Sequence, residues 1–332
     1  MNSIVSKLRS PRKPQRYMSF ITAITLIASL IIGCETSVQP PPTVVSSPNQ
    51  ETIVATPTDT VQDRSIVLVP AGNYTIGSDE TEDTQPVHQT SLSAFQIDRY
   101  EVTNVQYAEF LNSLNIQLLQ DAASGEIRSS DLPEEAIPLL IEGSEEGSQQ
   151  PLIALDDEHT RIAIQNGQFV PQSSYENHPV TETTWHGANE FCVWRGARLP
   201  TEVEWEAAAR GLEGRIYPWG NEPPTPDRAV YSRSSGETEP IGTHPLGSTP
   251  DGVHELAGNV AEWTSTLYQP YPYNSDDGRE QRDSVGERVT RGGDHVFNSA
   301  PDELTAYFRT GFSRAPDRGH RHIGFRCVQT LS

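Results

Sequence analysis

Leu199-Pro200-Thr201-Glu202-Val203-Glu204-Trp205-Glu206-Ala207-Ala208-Ala209-Arg210-Gly211 is the stretch that most limits how this chain folds. Pro200 disfavours helix at Leu199 and pushes it extended. Thr201 then caps a helix, with Glu204 three residues on to close a capping box. Trp205, Ala208 and Ala209 fall on one side at helical spacing, and Gly211 ends the helix as a left-handed cap. A helix of about ten residues does not persist alone in water. Tertiary packing must clamp it, and the tryptophans on either side of the turn, Trp194 and Trp205, are the expected clamps.

The chain opens with a targeting pattern. Lys7, Arg9, Arg12, Lys13 and Arg16 precede an apolar run from Phe20 to Ile32, too short to span a bilayer comfortably and suited to the core of a signal peptide. The run closes on Leu30-Ile31-Ile32-Gly33-Cys34, which resembles the lipobox of bacterial lipoproteins. Residues 1–33 are therefore expected to be a lipoprotein signal, with Cys34 lipidated and the chain exported and membrane-anchored. Residues 34–64, rich in Pro, Thr and Ser, bury too little apolar surface to offset ordering entropy and are expected to be a flexible tether. The rest, residues 65–332, is long enough for one sizeable domain, and no internal repeat is visible.

Charge narrows the chemistry. The chain carries 24 Lys+Arg against 45 Asp+Glu, and the signal holds five of the positives. Removing those five leaves 19 against 45, a formal charge of −26. Lys7 and Lys13 are the only lysines, so a lysine nucleophile or Schiff base is excluded from the mature chain. Nucleic acid is not an expected partner.

Residues 65–78 read as two short strands around a glycine turn, and Phe95 to Val102 as a half-buried strand. Thr103 with Gln106 forms a second capping box, opening a helix to about Leu114 with Tyr107, Phe110, Leu111 and Leu114 inward. Residues 115–178 are polar and acidic, a variable insertion. Thr184 to Arg195 forms a third helix burying Ala188, Phe191 and Cys192. Short elements and long ordered loops make the fold class α+β with little regular structure.

In order, the chain contains VPAGNYTIGS, FQIDRYEVTNVQYAEF, HPVTETTW, CVWRGARLPTEVEWEAAARG, YPWGNE, GNVAEW, RVTRGG and GFRC. Together these resemble the sulfatase-modifying factor family, whose founding member is the formylglycine-generating enzyme. The resemblance implies a fold related to C-type lectins, with a surface groove that receives an extended peptide. It also implies a copper(I) oxidase held by two thiolates shortly after Arg-Gly-Gly. Here that window reads Asp294-His295-Val296-Phe297-Asn298-Ser299-Ala300-Pro301-Asp302-Glu303, with no cysteine, so copper is not expected. His320 and His322 flank Arg321 without a third ligand in sequence. No histidine-rich iron cluster, phosphate loop or Gly-x-Ser-x-Gly elbow is present.

The family's structural disulfide falls on Cys192 and Cys327, the two cysteines other than Cys34. A second bridge of some relatives falls on Ala209 and Ala306. The family's calcium site near Gly-Asn-x-x-Glu-Trp maps onto the carboxylates of Glu255 and Glu262 and the carbonyls of Gly258 and Val260, an oxygen set suited to Ca²⁺. No catalytic residue is assigned. The expected role is a surface-tethered binding or accessory module for a peptide or protein ligand. The alternatives are a family oxidoreductase acting on thiols by other residues, and a structural envelope lipoprotein.

Overall fold

A computed structural model describes residues 66–114, 116, 132, 136, 140, 150–233, 237–309 and 315–331. The expected signal, Cys34, the tether and most of 115–149 lie outside the described residues. Among the described residues no helix is long and apolar enough to cross a membrane.

Capping chemistry sets the helices. Thr103 and Gln106 form the anticipated box ahead of α1 (Asn104–Ser113), which buries Tyr107, Phe110 and Leu111. Leu114 does not join them: it caps the helix and stays exposed. Thr184 accepts from the Gly187 amide to open α2 (Trp185–Trp194), with Ala188, Phe191 and Cys192 buried. Gly187 is required by contact, because a Cβ there would sit 1.8 Å from the Leu152 carbonyl oxygen. The Tyr107 hydroxyl donates to that same oxygen at 2.9 Å, so the chain near residue 152 is fastened to both helices.

Thr201 and Glu204 close their capping box before α3 (Glu202–Arg210), and Gly211 follows at φ 61°. The expected one-sided helix is corrected here: every residue of α3 is buried, including Glu202, Glu204, Glu206 and Arg210. Ion pairs allow this, as described below. Trp205 is a buried clamp, whereas Trp194 is partly exposed and packs on Phe110 and Phe191 of the other two helices.

The sheets are small. β1 (Ile66–Val69) and β10 (Val328–Thr330) flank β4 (Phe95–Asp98), both antiparallel. β2 (Gly72–Ile76) pairs with β3 (His88–Leu92), so the first two strands are not partners of one another. β4 stops at Asp98, short of the expected Val102, because Arg99 and Val102 leave the ladder to meet the loops at His254 and Phe325. β5 (Ile162–Gln165) and β6 (Gln168–Pro171) form a hairpin whose Ile162, Ile164 and Phe169 enter the core with α1 and α2. β7 (Ala261–Leu267) pairs with β8 (Arg288–Arg291) antiparallel and with β9 (Ile323–Gly324) parallel. This last sheet brings the Gly-Asn-x-x-Glu-Trp, Arg-Gly-Gly and Gly-Phe-Arg-Cys motifs together. A second core surrounds α3, with Ala209 and Ala306 both fully buried in it.

Candidate ligand groove and the buried carboxylates beneath it

The loop after β8 leaves through Gly292 and Gly293, both at positive φ. Asp294 then turns inward, and its Oδ1 accepts from the Val296 and Phe297 amides at 2.7 and 2.6 Å. His295 is also buried, and its Nδ1 donates to the Asn259 carbonyl at 2.6 Å. Glu303 closes the loop by accepting from the Ser299 and Ala300 amides at 2.8 and 2.9 Å. Asp294 and Glu303 therefore hold the window's own backbone, while His295 ties it to Asn259. What it presents outward is Phe297, 58% exposed.

Around Phe297 the chain builds a polar rim. The Arg321 guanidinium lies 5.5 Å from the centre of its ring, and the His322 ring meets it edge-on at 4.7 Å. His320 and His322 are neighbours at 5.5 Å between ring centres. Arg321 also approaches His159 Nε2 at 3.2 Å. Arg161 stacks over Tyr175 and, with the Tyr175 hydroxyl, donates to Glu237. Separately, a cleft of about 780 Å³ is lined by Leu152, His186, Glu190, Arg282, Glu287 and Pro316 among others. Burial and then Arg288 lower the His186 pKa to about 4, keeping that imidazole neutral.

Beneath the rim lies a cluster of carboxylates. Glu101 accepts from Asn259 Nδ2 at 2.7 Å and from the Val260 amide at 3.3 Å. Glu255 Oε1 accepts from the Gly242 amide at 2.9 Å, while its Oε2 is buried without a hydrogen-bond partner. Glu262 is fully buried and bound by Arg326 through both oxygens, each at 2.7 Å, with Trp205 Nε1 donating to Oε2 at 2.8 Å. In the calcium set the resemblance implied, Glu255, Gly258, Val260 and Glu262, the Glu262 carboxylate is engaged by Arg326 and Trp205, while Glu255 Oε2 is buried with no hydrogen-bond partner.

Burial raises the Glu101 pKa well above its usual range, helped by Glu255 and Glu262 and opposed by Arg326. Burial likewise pushes Glu255 up to about 7. Both shifts come first from burial, with neighbouring carboxylates adding to it and Arg326 opposing it.

Cys192 and Cys327 form the disulfide the resemblance implied, with Cα atoms 5.7 Å apart. Sequence reading passed over Arg326, which sits in the quoted Gly-Phe-Arg-Cys motif beside the cysteine that drew attention. It also passed over Glu101, within the stretch read as the strand Phe95–Val102, and the pair Asp157 and His159. An arginine inside an otherwise apolar motif was the available signal for the first; none marked the others.

Comparison with known proteins follows this geometry. The family described as the sulfatase-modifying factor enzyme 1-like domain matches residues 51–331. The serine/threonine-protein kinase Pkn1 of Chlamydia trachomatis serovar L2 is 30% identical over 274 residues, covering 80% of this chain. The match spans 38% of that kinase's length. The inactive C-alpha-formylglycine-generating enzyme 2 of Mus musculus is 28% identical over 295 residues, covering 81% of this chain and 87% of the relative. Among solved structures, PvdO from Pseudomonas aeruginosa superposes with TM-score 0.55 at 23% identity, covering 80% of this chain and 94% of PvdO. The fold is the α+β, formylglycine-generating-enzyme-like one that the motifs implied.

Proposed function

This chain belongs to the sulfatase-modifying factor enzyme 1-like domain family, and from that premise we propose that it is a tethered binding or accessory module rather than a copper oxidase. Donor chemistry carries the reading. The copper(I) site that the family resemblance implies is built on two soft thiolates. The window after Gly292-Gly293 offers carboxylates and an amide engaged with the loop's own backbone, and an imidazole engaged with the Asn259 carbonyl. Of the chain's three cysteines, Cys192 and Cys327 are bonded to each other, and Cys34 is assigned to the lipid anchor. A relative of similar length bears the word inactive in its name, which agrees with this direction.

The groove around Phe297 then serves as a docking surface for an extended peptide or protein ligand, presented by the tether outside the cytoplasm. Two measurements test the two halves of the reading. Purified protein supplied with copper and a cysteine-containing sulfatase peptide is expected to give no mass loss of formylglycine conversion; turnover above a no-protein control refutes the accessory role. Cys34→Ser is expected to move the protein from the membrane to the soluble fraction, and unchanged fractionation refutes the anchor.

A further inference from the structure

Asp157 and His159 sit in a tight turn beside Arg321. The Asp157 amide donates to the Ala154 carbonyl at 3.3 Å, and the Thr160 amide to the Asp157 carbonyl at 3.1 Å. The Ala154 amide in turn donates to the Glu182 carbonyl at 3.0 Å, and the Glu182 amide to the His320 carbonyl at 3.1 Å. Main-chain bonds thus fix the turn against Glu182 before any side chain contributes. Glu182 is 4% exposed and sits at φ 59°. One ligand atom from each of Asp157, His159 and Glu182 lies within 4.8 Å of the other two.

We infer that these three residues hold a divalent transition metal of the zinc class. The set mixes two carboxylate oxygens with an imidazole nitrogen. That suits Zn²⁺, Mn²⁺ or Fe²⁺, whereas Ca²⁺ takes oxygen ligands and copper(I) prefers thiolate. Asp157 Oδ1 and His159 Nδ1 are 3.1 Å apart. Two ligands each about 2.1 Å from one ion stand this far apart at roughly a right angle, the spacing of adjacent octahedral ligands, and a tetrahedral Zn²⁺ needs them to open by about 0.3 Å.

Arg321 is the competitor, with Nη1 3.2 Å from His159 Nε2. When Nδ1 binds the ion, Nε2 carries the proton and faces this guanidinium, so Arg321 must swing away. Three protein ligands leave coordination positions open toward the groove, where a carboxylate or imidazole of a groove ligand completes the shell. This site goes beyond the accessory reading, and its donors are not those of copper(I), so the two titrations fail independently.

The test uses the full chain in detergent, stripped with EDTA, dialysed and titrated calorimetrically with ZnCl₂, then with CoCl₂ followed by visible absorption. One equivalent of each metal is expected, with Co²⁺ bands that Zn²⁺ displaces. Asp157→Asn and His159→Ala should each weaken binding at least about tenfold. Both positions lie outside the core, and circular dichroism checks that the variants fold. Arg321→Gln should bind as tightly or more tightly. Absence of saturable binding, equal affinity in Asp157→Asn and His159→Ala, or loss only in His322→Ala overturns the site.

Discussion

Two buried clusters of charge both touch Trp205, whose Nε1 donates to Glu262 and whose ring lies under Arg291, and they are balanced in opposite ways. Around α3, Glu206 accepts from the Gly77 amide at 2.8 Å and from Arg210 at 2.9 Å, and it pairs with Arg291. Glu202 meets Arg309 at 2.9 Å and Arg279 at 3.8 Å. Arginines outnumber carboxylates there. Around Arg326 the count reverses, with Glu101, Glu255 and Glu262 against one guanidinium. Burial raises the Glu202 pKa despite its arginines, so even the cation-rich cluster feels desolvation. The contrast shows that a buried charge is held by the number of its partners, and one cluster has too few.

The largest test of this contrast breaks the saturated side. Glu206→Ala removes an acceptor from Gly77, Arg210 and Arg291 at once and strands buried cations. A loss of about 3–5 kcal/mol in unfolding free energy is expected, read by denaturant titration. A loss under about 1 kcal/mol would mean that the arginines find other partners, and the contrast would fall.

Local grammar made the helices legible, because capping and apolar spacing act within a few residues. The boxes at Thr103 and Thr201 were readable for that reason, and so was the inward face of α2. The burial of Glu204 and Arg210 was not, because it depends on partners such as Gly77 and Arg198 that no spacing joins to them. The same applies at the site. The missing thiolates after Gly293 were plain in sequence. The capture of Glu262 by Arg326, 64 residues away, needed the parallel pairing of β7 with β9 to appear. Asp157 and His159, in a region with no recognisable motif, come together with Glu182 of the HPVTETTW motif through main-chain bonds that no spacing announces.

The second test addresses the over-acidic side through pH. The folded pKa of Glu255, about 7, lies above the unfolded value of 4.5. The folded state therefore keeps a proton that the unfolded state releases between these values. The stabilisation is fully present below pH 4.5 and is lost as pH rises to about 7, by on the order of 3 kcal/mol. Glu101 shifts in the same direction. Glu255→Gln should flatten this slope and raise the melting temperature at pH 8, where the carboxylate is charged. A steeper slope, or a wild-type melting temperature that drops on adding EDTA and recovers with calcium, would show that a cation rather than a proton relieves the cluster.

The smallest effect asks whether α3 is held by its cap or by its charges. Thr201 Oγ1 accepts from the Glu204 amide at 3.2 Å, and Glu204 returns a bond from the Thr201 amide at 2.9 Å. Glu204 is also gripped by both terminal nitrogens of Arg198 at 2.7 and 2.6 Å. Thr201→Ala deletes only the hydroxyl's share, and an N-cap of this type contributes about 1 kcal/mol. The Glu204 carboxylate keeps its arginine and the Thr201 amide, so half of the box survives. The expected loss is therefore several-fold smaller than that of Glu206→Ala in the same denaturant titration. If the two losses match, the helix depends on its first turn as much as on Arg210 and Arg291. Charge saturation would then be a consequence of a well-started helix and not what holds it in the core.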